Sequence, residues 1–390
     1  MSARPRRPWA ALLATTLLNL PAGSLYAFSV FLIPMEREFG VGRAELSFVF
    51  GLATLSFTAG MNLAPPLYRR IDLPFLLAGC ACVSAAGVGI AAAGSGIVAL
   101  AAGYGVLFGL GGGVAYIVLQ QGVNIMVTTR QGLVNGYIVS LYPAGAMIAA
   151  PLFGWSLAAW GLRATLAGLA LTVLVCGAAS IALSIHAGSP VRVAPKESGG
   201  GPVASQPRTF WTLWLVFFLA AAAGLTVMSQ AAGMIRAYGG TTALALFATT
   251  YITGMIAAAR LAGGWLADRF AVRAIMAAAH AFALCGAATL LMAPGPLTSM
   301  FTLAMIGMGY GFISGSTAAA VALYWSAEAY GRIASRLYIA WCVAALTLPL
   351  VAGHLFDLTG GYATAVTIAA CGNTLGILLA LTLPRPRPAA

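Results

Sequence analysis

Acidic residues are scarce in this chain: eight Asp and Glu stand among 390 residues, against twenty Lys and Arg. Charged residues of both signs reach only 7%, where a soluble domain carries about 25%. No hydrophilic stretch is long enough for a soluble catalytic domain. Within the apolar runs there is no Ser/His/Asp set, no HExxH and no carboxylate pair, so the sequence does not read as an enzyme and implies no cofactor. The six cysteines lie in apolar runs without a CxxC pair, which argues against a disulfide framework or a zinc site. Thirteen methionines invite a soft metal. Yet Met228 and Met234 do not share a helical face, and Met276, one turn before His280, has no third ligand nearby.

What is abundant is apolar sequence: 61% of the chain, with 47 glycines and 19 prolines, as packed transmembrane helices allow. Apolar runs near the ~20 residues that span a bilayer fall at 9–35, 44–68, 74–95, 97–127, 131–155 and 161–186. They resume at 209–236, 242–268, 272–293, 296–325, 332–357 and 361–383, making twelve. The first follows Arg4-Pro5-Arg6-Arg7 and is too long for a signal-peptide core, so it reads as a retained helix. The net charge of +12 does not point to nucleic acid, because the basic residues are scattered in ones and twos between runs. If the termini and even-numbered connections share one side, that side holds fifteen basic residues and the other four. The positive-inside rule then places both termini in the cytoplasm of a multi-pass protein of the inner (plasma) membrane.

One segment, 187–208, is polar and rich in Gly, Pro and Ser, and reads as a flexible linker. It separates a six-helix bundle at 1–186 from another at 209–390. The halves show weak similarity at a spacing near 200: "EFGVGRAELSFVFGLATL" from Glu38 against "AYGGTTALALFATTYITG" from Ala237, and "WGLRAT" from Trp160 against "GGYATA" from Gly360. Such repeats fit an all-α architecture of two pseudo-symmetric bundles. Gly-rich "GYGVLFGLGGGVAY" has small-xxx-small spacing but lacks the strand and Lys-Ser/Thr of a phosphate loop, so it reads as close helix packing.

Arg260 is a permanent cation inside the eighth run, "YITGMIAAARLAGGWLADRF". A central arginine costs about 2.5–3.5 kcal/mol on insertion scales. It lies some 12 Å, at 1.5 Å per residue, from its helix end. Every Asp and Glu falls at a run end or in a loop, so an anionic substrate is its natural partner; a structural or gating role is the alternative. The 199-residue offset pairs it with apolar Met61, so the repeated scaffold does not demand it. Asn19, before Pro21 and Gly23, is either a substrate contact or a helix–helix hydrogen bond. Tyr116, Gln120 and Asn124 recur at i, i+4 and i+8. Tyr26, Tyr142, Tyr338 and Trp341 form either an aromatic wall or ordinary packing. His280 reads as a satisfied or lipid-edge histidine, and Trp9, Trp155, Trp211 and Trp214 as interfacial anchors.

"GGWLADRFAVR" (Gly263 to Arg273) resembles the major facilitator superfamily signature G-x-x-x-D-R-x-G-R-[RK]. Gly264, Asp268, Arg269 and Arg273 match it and would form a cytoplasmic latch, while Ala271 and Val272 depart from it. The first-half copy, "APPLYRRIDLP", keeps little beyond Arg69 and Arg70. "LNLPAGSLYAFSVFLIPMEREFG", "RQGLVNGYIVSLYPAGAMIAAPLFGW" and "GRIASRLYIAWCVAALTLPLVAGHLFD" resemble the first, fifth and eleventh helices of the oxalate/formate antiporter and monocarboxylate transporter branch. That resemblance implies the major facilitator fold and a secondary transporter working by alternating access, by custom a monomer. It also implies that Arg260 binds a substrate carboxylate, with Asn19 nearby and Tyr116 facing the cavity. The oxalate transporter has a lysine where this chain has Trp341, so a single fixed cation favours monocarboxylates. With no buried carboxylate to carry protons, exchange against a second anion is as natural as proton coupling. A drug or metabolite exporter with a gating Arg260 is the competing reading.

Overall fold

The computed structural model describes residues 7–188 and 206–384, which are helical with no strand among them. The expected linker at 187–208 therefore falls mostly outside the described residues. Among the described residues, eleven helices are long and apolar enough to cross a membrane. In chain order they are α1 (Pro8–Phe39), α2 (Arg43–Tyr68), α3 (Leu73–Ala93), α4 (Gly96–Met126), α5 (Gln131–Ala187), α6 (Pro207–Ala237), α7 (Thr242–Ala267), α8 (Val272–Met292), α9 (Pro296–Tyr324), α10 (Tyr330–Thr359) and α11 (Ala363–Leu381).

Local chemistry sets many of these boundaries. Proline opens α1, α6 and α9, where its missing N–H is no loss. The Thr241 hydroxyl caps α7 by accepting from the Leu244 N–H at 3.2 Å. Glu45 reaches back to the Gly42 N–H at 2.7 Å ahead of α2. Helix α5 is 57 residues long, about 85 Å at 1.5 Å per residue, nearly three times a bilayer core of ~30 Å. It is broken at Gly161, whose φ of 77° and ψ of 179° interrupt the helical path where the sequence has its fifth and sixth runs. A left-handed φ of this kind suits glycine.

Two further departures lie inside α1 and α4. After Pro21, α1 tightens into a 3₁₀ segment at Gly23–Phe31, and α4 widens into a π segment at Ala101–Phe108. Their side chains meet, with the Phe28 and Tyr104 ring centroids 5.1 Å apart.

The chain groups into two compact units. The first holds Met1–Thr129, Leu141–Gly200 and Ser326–Arg336; the second holds Arg130–Ser140, Gly201–Trp325 and Leu337–Ala390. Each unit thus takes in the opening turns of a helix that otherwise belongs with the other. Within the first, α2 and α4 approach until a Cβ on Gly113 would overlap the Phe57 carbonyl, which is the close packing expected of the glycine-rich run. Within the second, α7 and α9 do the same, and a Cβ on Gly315 would overlap the carbonyl of Arg260.

That overlap is with backbone, which cannot swing aside. Gly315→Ala should therefore lower stability by about 1–3 kcal/mol, the usual cost of overpacking. Gly168→Ala, in α5 with open space around it, should be neutral or mildly stabilising. Thermal unfolding of the two purified variants checks this, and equal midpoints would refute the close α7–α9 contact.

Candidate functional site

Arg260 lies on α7 and is 4% exposed. Its Nη1 donates to the Val139 carbonyl at 2.9 Å and its Nη2 to the Tyr310 hydroxyl at 2.7 Å. Its Cζ also stands 5.1 Å from the Tyr310 ring centroid, within cation–π range. Tyr310, on α9, is 1% exposed and lies against Gly224 of α6, where any Cβ would strike the ring. The Val139 carbonyl is available for a covalent reason. In a helix it would accept from the N–H of residue 143, but that residue is Pro143 and has none. The guanidinium fills the gap.

A second polar contact joins α7 to the same opening segment of α5. The Asp268 carboxylate accepts from the Gly132 N–H at 2.7 Å through Oδ1 and from the Leu133 N–H at 2.8 Å through Oδ2. These are first-turn donors that have no partner inside a helix, and a carboxylate also complements the helix N-terminus. Between the two contacts the backbones touch: a Cβ on Gly136 would come within 2.9 Å of the Gly264 Cα, and Gly132 and Gly264 face each other equally closely. Arg260 and Asp268 are two turns apart on α7, matching the rise from Gly132 to Val139 on α5. Gly264 and Asp268 of the signature thus hold the start of α5. Arg269 folds over Trp265, its Cζ 4.0 Å from the ring centroid.

The first unit has a counterpart that the signature did not reveal. Gly331, at the start of α10, follows Gly132 by 199 residues and donates its N–H to Gln121 Oε1 at 2.6 Å. The Gln121 amide also donates to the Ala327 carbonyl at 2.8 Å. Arg69 occupies the place corresponding to Asp268, so the acid is missing there and a neutral amide from α4 caps the helix instead.

Three of the aromatic candidates come together in the first unit. The Tyr142 ring lies 5.3 Å from Tyr116 at 86°, and 6.2 Å from Tyr26 at 69°. Phe57, which the sequence did not single out, completes the group 5.3 Å from Tyr142 and 5.9 Å from Tyr116. The α1 backbone closes against α5 here, where a Cβ on Gly23 would stand 2.8 Å from the Tyr142 Cα. Asn19, one turn before Gly23, is 1% exposed, and neither amide atom meets a hydrogen-bond partner among the described residues. Gln120 and Asn124 are also buried, with the Asn124 amide turned onto the Gln120 carbonyl at 2.9 Å. In the second unit Tyr338 packs on Phe217, ring centroids 5.8 Å apart, and Trp341 is buried. His280 is fully buried rather than at an exposed edge, with its Nδ1 2.8 Å from Asn373 Oδ1 and its Nε2 without a hydrogen-bond partner among the described residues.

The sequence matches the model of the Major Facilitator Superfamily over residues 12–345. It is 23% identical over 319 residues to YhjX, an uncharacterized MFS-type transporter of Escherichia coli (strain K12), covering 78% of each chain. Its fold resembles FucP, an MFS transporter in the outward conformation, with TM-score 0.71 and 16% identity over 97% of this chain and 100% of that one. It also resembles the proton:xylose symporter XylE bound to 6-bromo-6-deoxy-D-glucose, with TM-score 0.73 and 15% identity over 97% and 96% of the two chains. At such identities the two solved structures speak for the fold alone. With a family match across most of its length, a helical fold to go with it and spans fit for a bilayer, the chain belongs to the Major Facilitator Superfamily and is an integral membrane secondary transporter of a small molecule, not an enzyme.

Proposed function

We propose that the protein transports a small organic anion, a monocarboxylate in the simplest case, by alternating access across the inner (plasma) membrane as a monomer. In this reading the chain crosses twelve times, α5 counting as two crossings divided at Gly161. Bundles at 1–186 and 209–390 rock about the 187–208 linker, and both termini are cytoplasmic. The carrying observation is the setting of Arg260: a permanent cation, 4% exposed, bonded to a neutral carbonyl and a neutral phenol. No Asp or Glu lies in the central part of any span. A carboxylate offers the planar, charged, bidentate partner that a guanidinium fits best.

The substrate carboxylate would take both Nη groups and so displace the Val139 carbonyl. Substrate arrival then loosens one of the two contacts that hold the start of α5 to α7, leaving Asp268 as the other. Binding is thereby tied to the movement of a helix end, as alternating access requires. Asn19, Tyr116, Gln120, Tyr26 and Tyr142, with Tyr338 and Trp341, line the substrate path, while Gly264, Asp268, Arg269 and Arg273 form the latch. The coupled ion is a proton or an exchanged second anion. A second reading has one specific support. Because Arg260 already joins α7 to α5, it serves equally as a gate in an exporter of neutral or cationic compounds.

Thermal stabilisation across a panel of small mono- and dicarboxylates separates the two readings. A monocarboxylate at 100 times its Kd should stabilise the parent by about 2.7 kcal/mol and leave Arg260→Ala unmoved. Arg260→Lys, which keeps the charge but loses the fork, should cut transport at least tenfold. Stabilisation of the parent by neutral or cationic compounds alone would pass the role to the exporter. Pro143→Ala restores an N–H that competes for the Val139 carbonyl; if that carbonyl rivals the substrate, carboxylate affinity should rise roughly fivefold, about 1 kcal/mol for one hydrogen bond. An unchanged Kd would remove Val139 from the mechanism. Trp341→Lys should shift preference toward dicarboxylates, and an unaltered oxalate-to-formate rate ratio would count against the alignment of that residue.

A further inference from the structure

A surface slot on the second unit lies apart from Arg260. It has a volume of about 430 Å³ and is lined only by apolar side chains, among them Leu266, Phe270, Phe282 and Phe312. Its floor is α8, where Ala274, Ala278 and Phe282 recur at i, i+4 and i+8 on one face. The two alanines make it a trough, and the phenylalanines make its walls. It runs from the α7–α8 turn along eight residues of α8, roughly 12 Å at 1.5 Å per residue. Phe282, on the spanning helix α8, is 37% exposed and Phe270, in the turn before it, 59%, so the trough opens to the lipid along α8 and to the membrane surface at the turn. Nothing polar in its lining would select a sugar, an acid or a peptide.

Two arginines adjoin lining residues in the sequence at the α7–α8 end of the trough. Arg269 precedes Phe270 in the α7–α8 turn, Arg273 precedes Ala274 in the first turn of α8, and Arg269 lies across the Trp265 ring. The one acid in that turn, Asp268, has both oxygens committed to the Gly132 and Leu133 N–H groups. The arginines therefore present positive charge where a helix end meets the membrane surface. An apolar channel one chain wide, capped by two cations at interface depth, complements one molecule that a membrane supplies in quantity.

We infer that the trough is a binding site for an anionic glycerophospholipid, one acyl chain lying between Ala274 and Phe282 and the phosphate resting on Arg269 and Arg273. The site is independent of the substrate assigned to Arg260. It has a consequence for the transport cycle, because the phosphate would tether the very turn that carries Asp268.

Native mass spectrometry of the detergent-purified protein, titrated with phosphatidylglycerol and with phosphatidylcholine of identical chains, tests this. The parent should retain phosphatidylglycerol at least tenfold better, since each basic residue near a membrane surface contributes roughly fivefold. Arg269→Gln with Arg273→Gln should bring the two lipids to parity. Ala278→Phe, which fills the trough, should weaken both, and Ala274→Leu serves the same purpose should the larger substitution fail to fold. Equal retention of the two lipids by the parent would overturn the proposal. So would parental phosphatidylglycerol binding in the trough-filling variant. Loss of a dimer peak on filling the trough, with lipid retention unchanged, would give the surface to a second copy of the chain and equally overturn it.

Discussion

A guanidinium buried among apolar helices is the constraint around which the second unit is organised. Its charge cannot be shed, and hydrocarbon offers nothing to solvate it. The protein answers with a backbone carbonyl from α5, a hydroxyl from α9 and the face of the same tyrosine ring. Each needs close approach. Gly224 leaves room for the Tyr310 ring, Gly315 lets α9 close onto the Arg260 backbone, and Gly136 lets α5 do so from its own side. Side chains at these places would hold the helices apart and leave the cation with nothing to bond.

The same closeness serves the ends of the helices. Gly132 and Gly331, 199 residues apart, lie in the first turns of α5 and α10, and each N–H has a side-chain acceptor. One acceptor is the Asp268 carboxylate and the other the Gln121 amide. Bonds to an ionised group are roughly twice as strong as neutral ones. The two glycine N–H groups thus share a role as capped helix starts without sharing its strength.

How much of this the sequence disclosed follows from what kind of signal each feature leaves. The spans show as apolar runs because lipid imposes length and composition together. Arg260 stood out because a cation there is rare, and Tyr116 because it recurs with Gln120 and Asn124 on one helical face, while Tyr26 and Tyr142 were candidates only as aromatics within apolar runs. Val139 left no mark, since a carbonyl acceptor is independent of the side chain beside it. Tyr310 was one aromatic among many until α7 and α9 were seen to cross at glycines. Gln121 was overlooked because its neighbour Gln120 fell on the tyrosine-bearing face, and a one-residue difference turns a side chain by about 100°. The break at Gly161 is written as a single residue that helices tolerate elsewhere.

Pro143 gives the arrangement a permanence that packing alone does not. Most weak points in a helix are reversible: a strained or water-invaded turn can heal when its surroundings change. The gap above Val139 cannot, because it is written into the covalent chain as a nitrogen without hydrogen. Whatever the pH, salt or thickness of the membrane around it, one carbonyl of α5 never has its α-helical donor and draws on another group or on a local tightening of the helix. Helix α5 therefore carries a standing demand for a partner at this turn, and in this structure the arginine of α7 answers it.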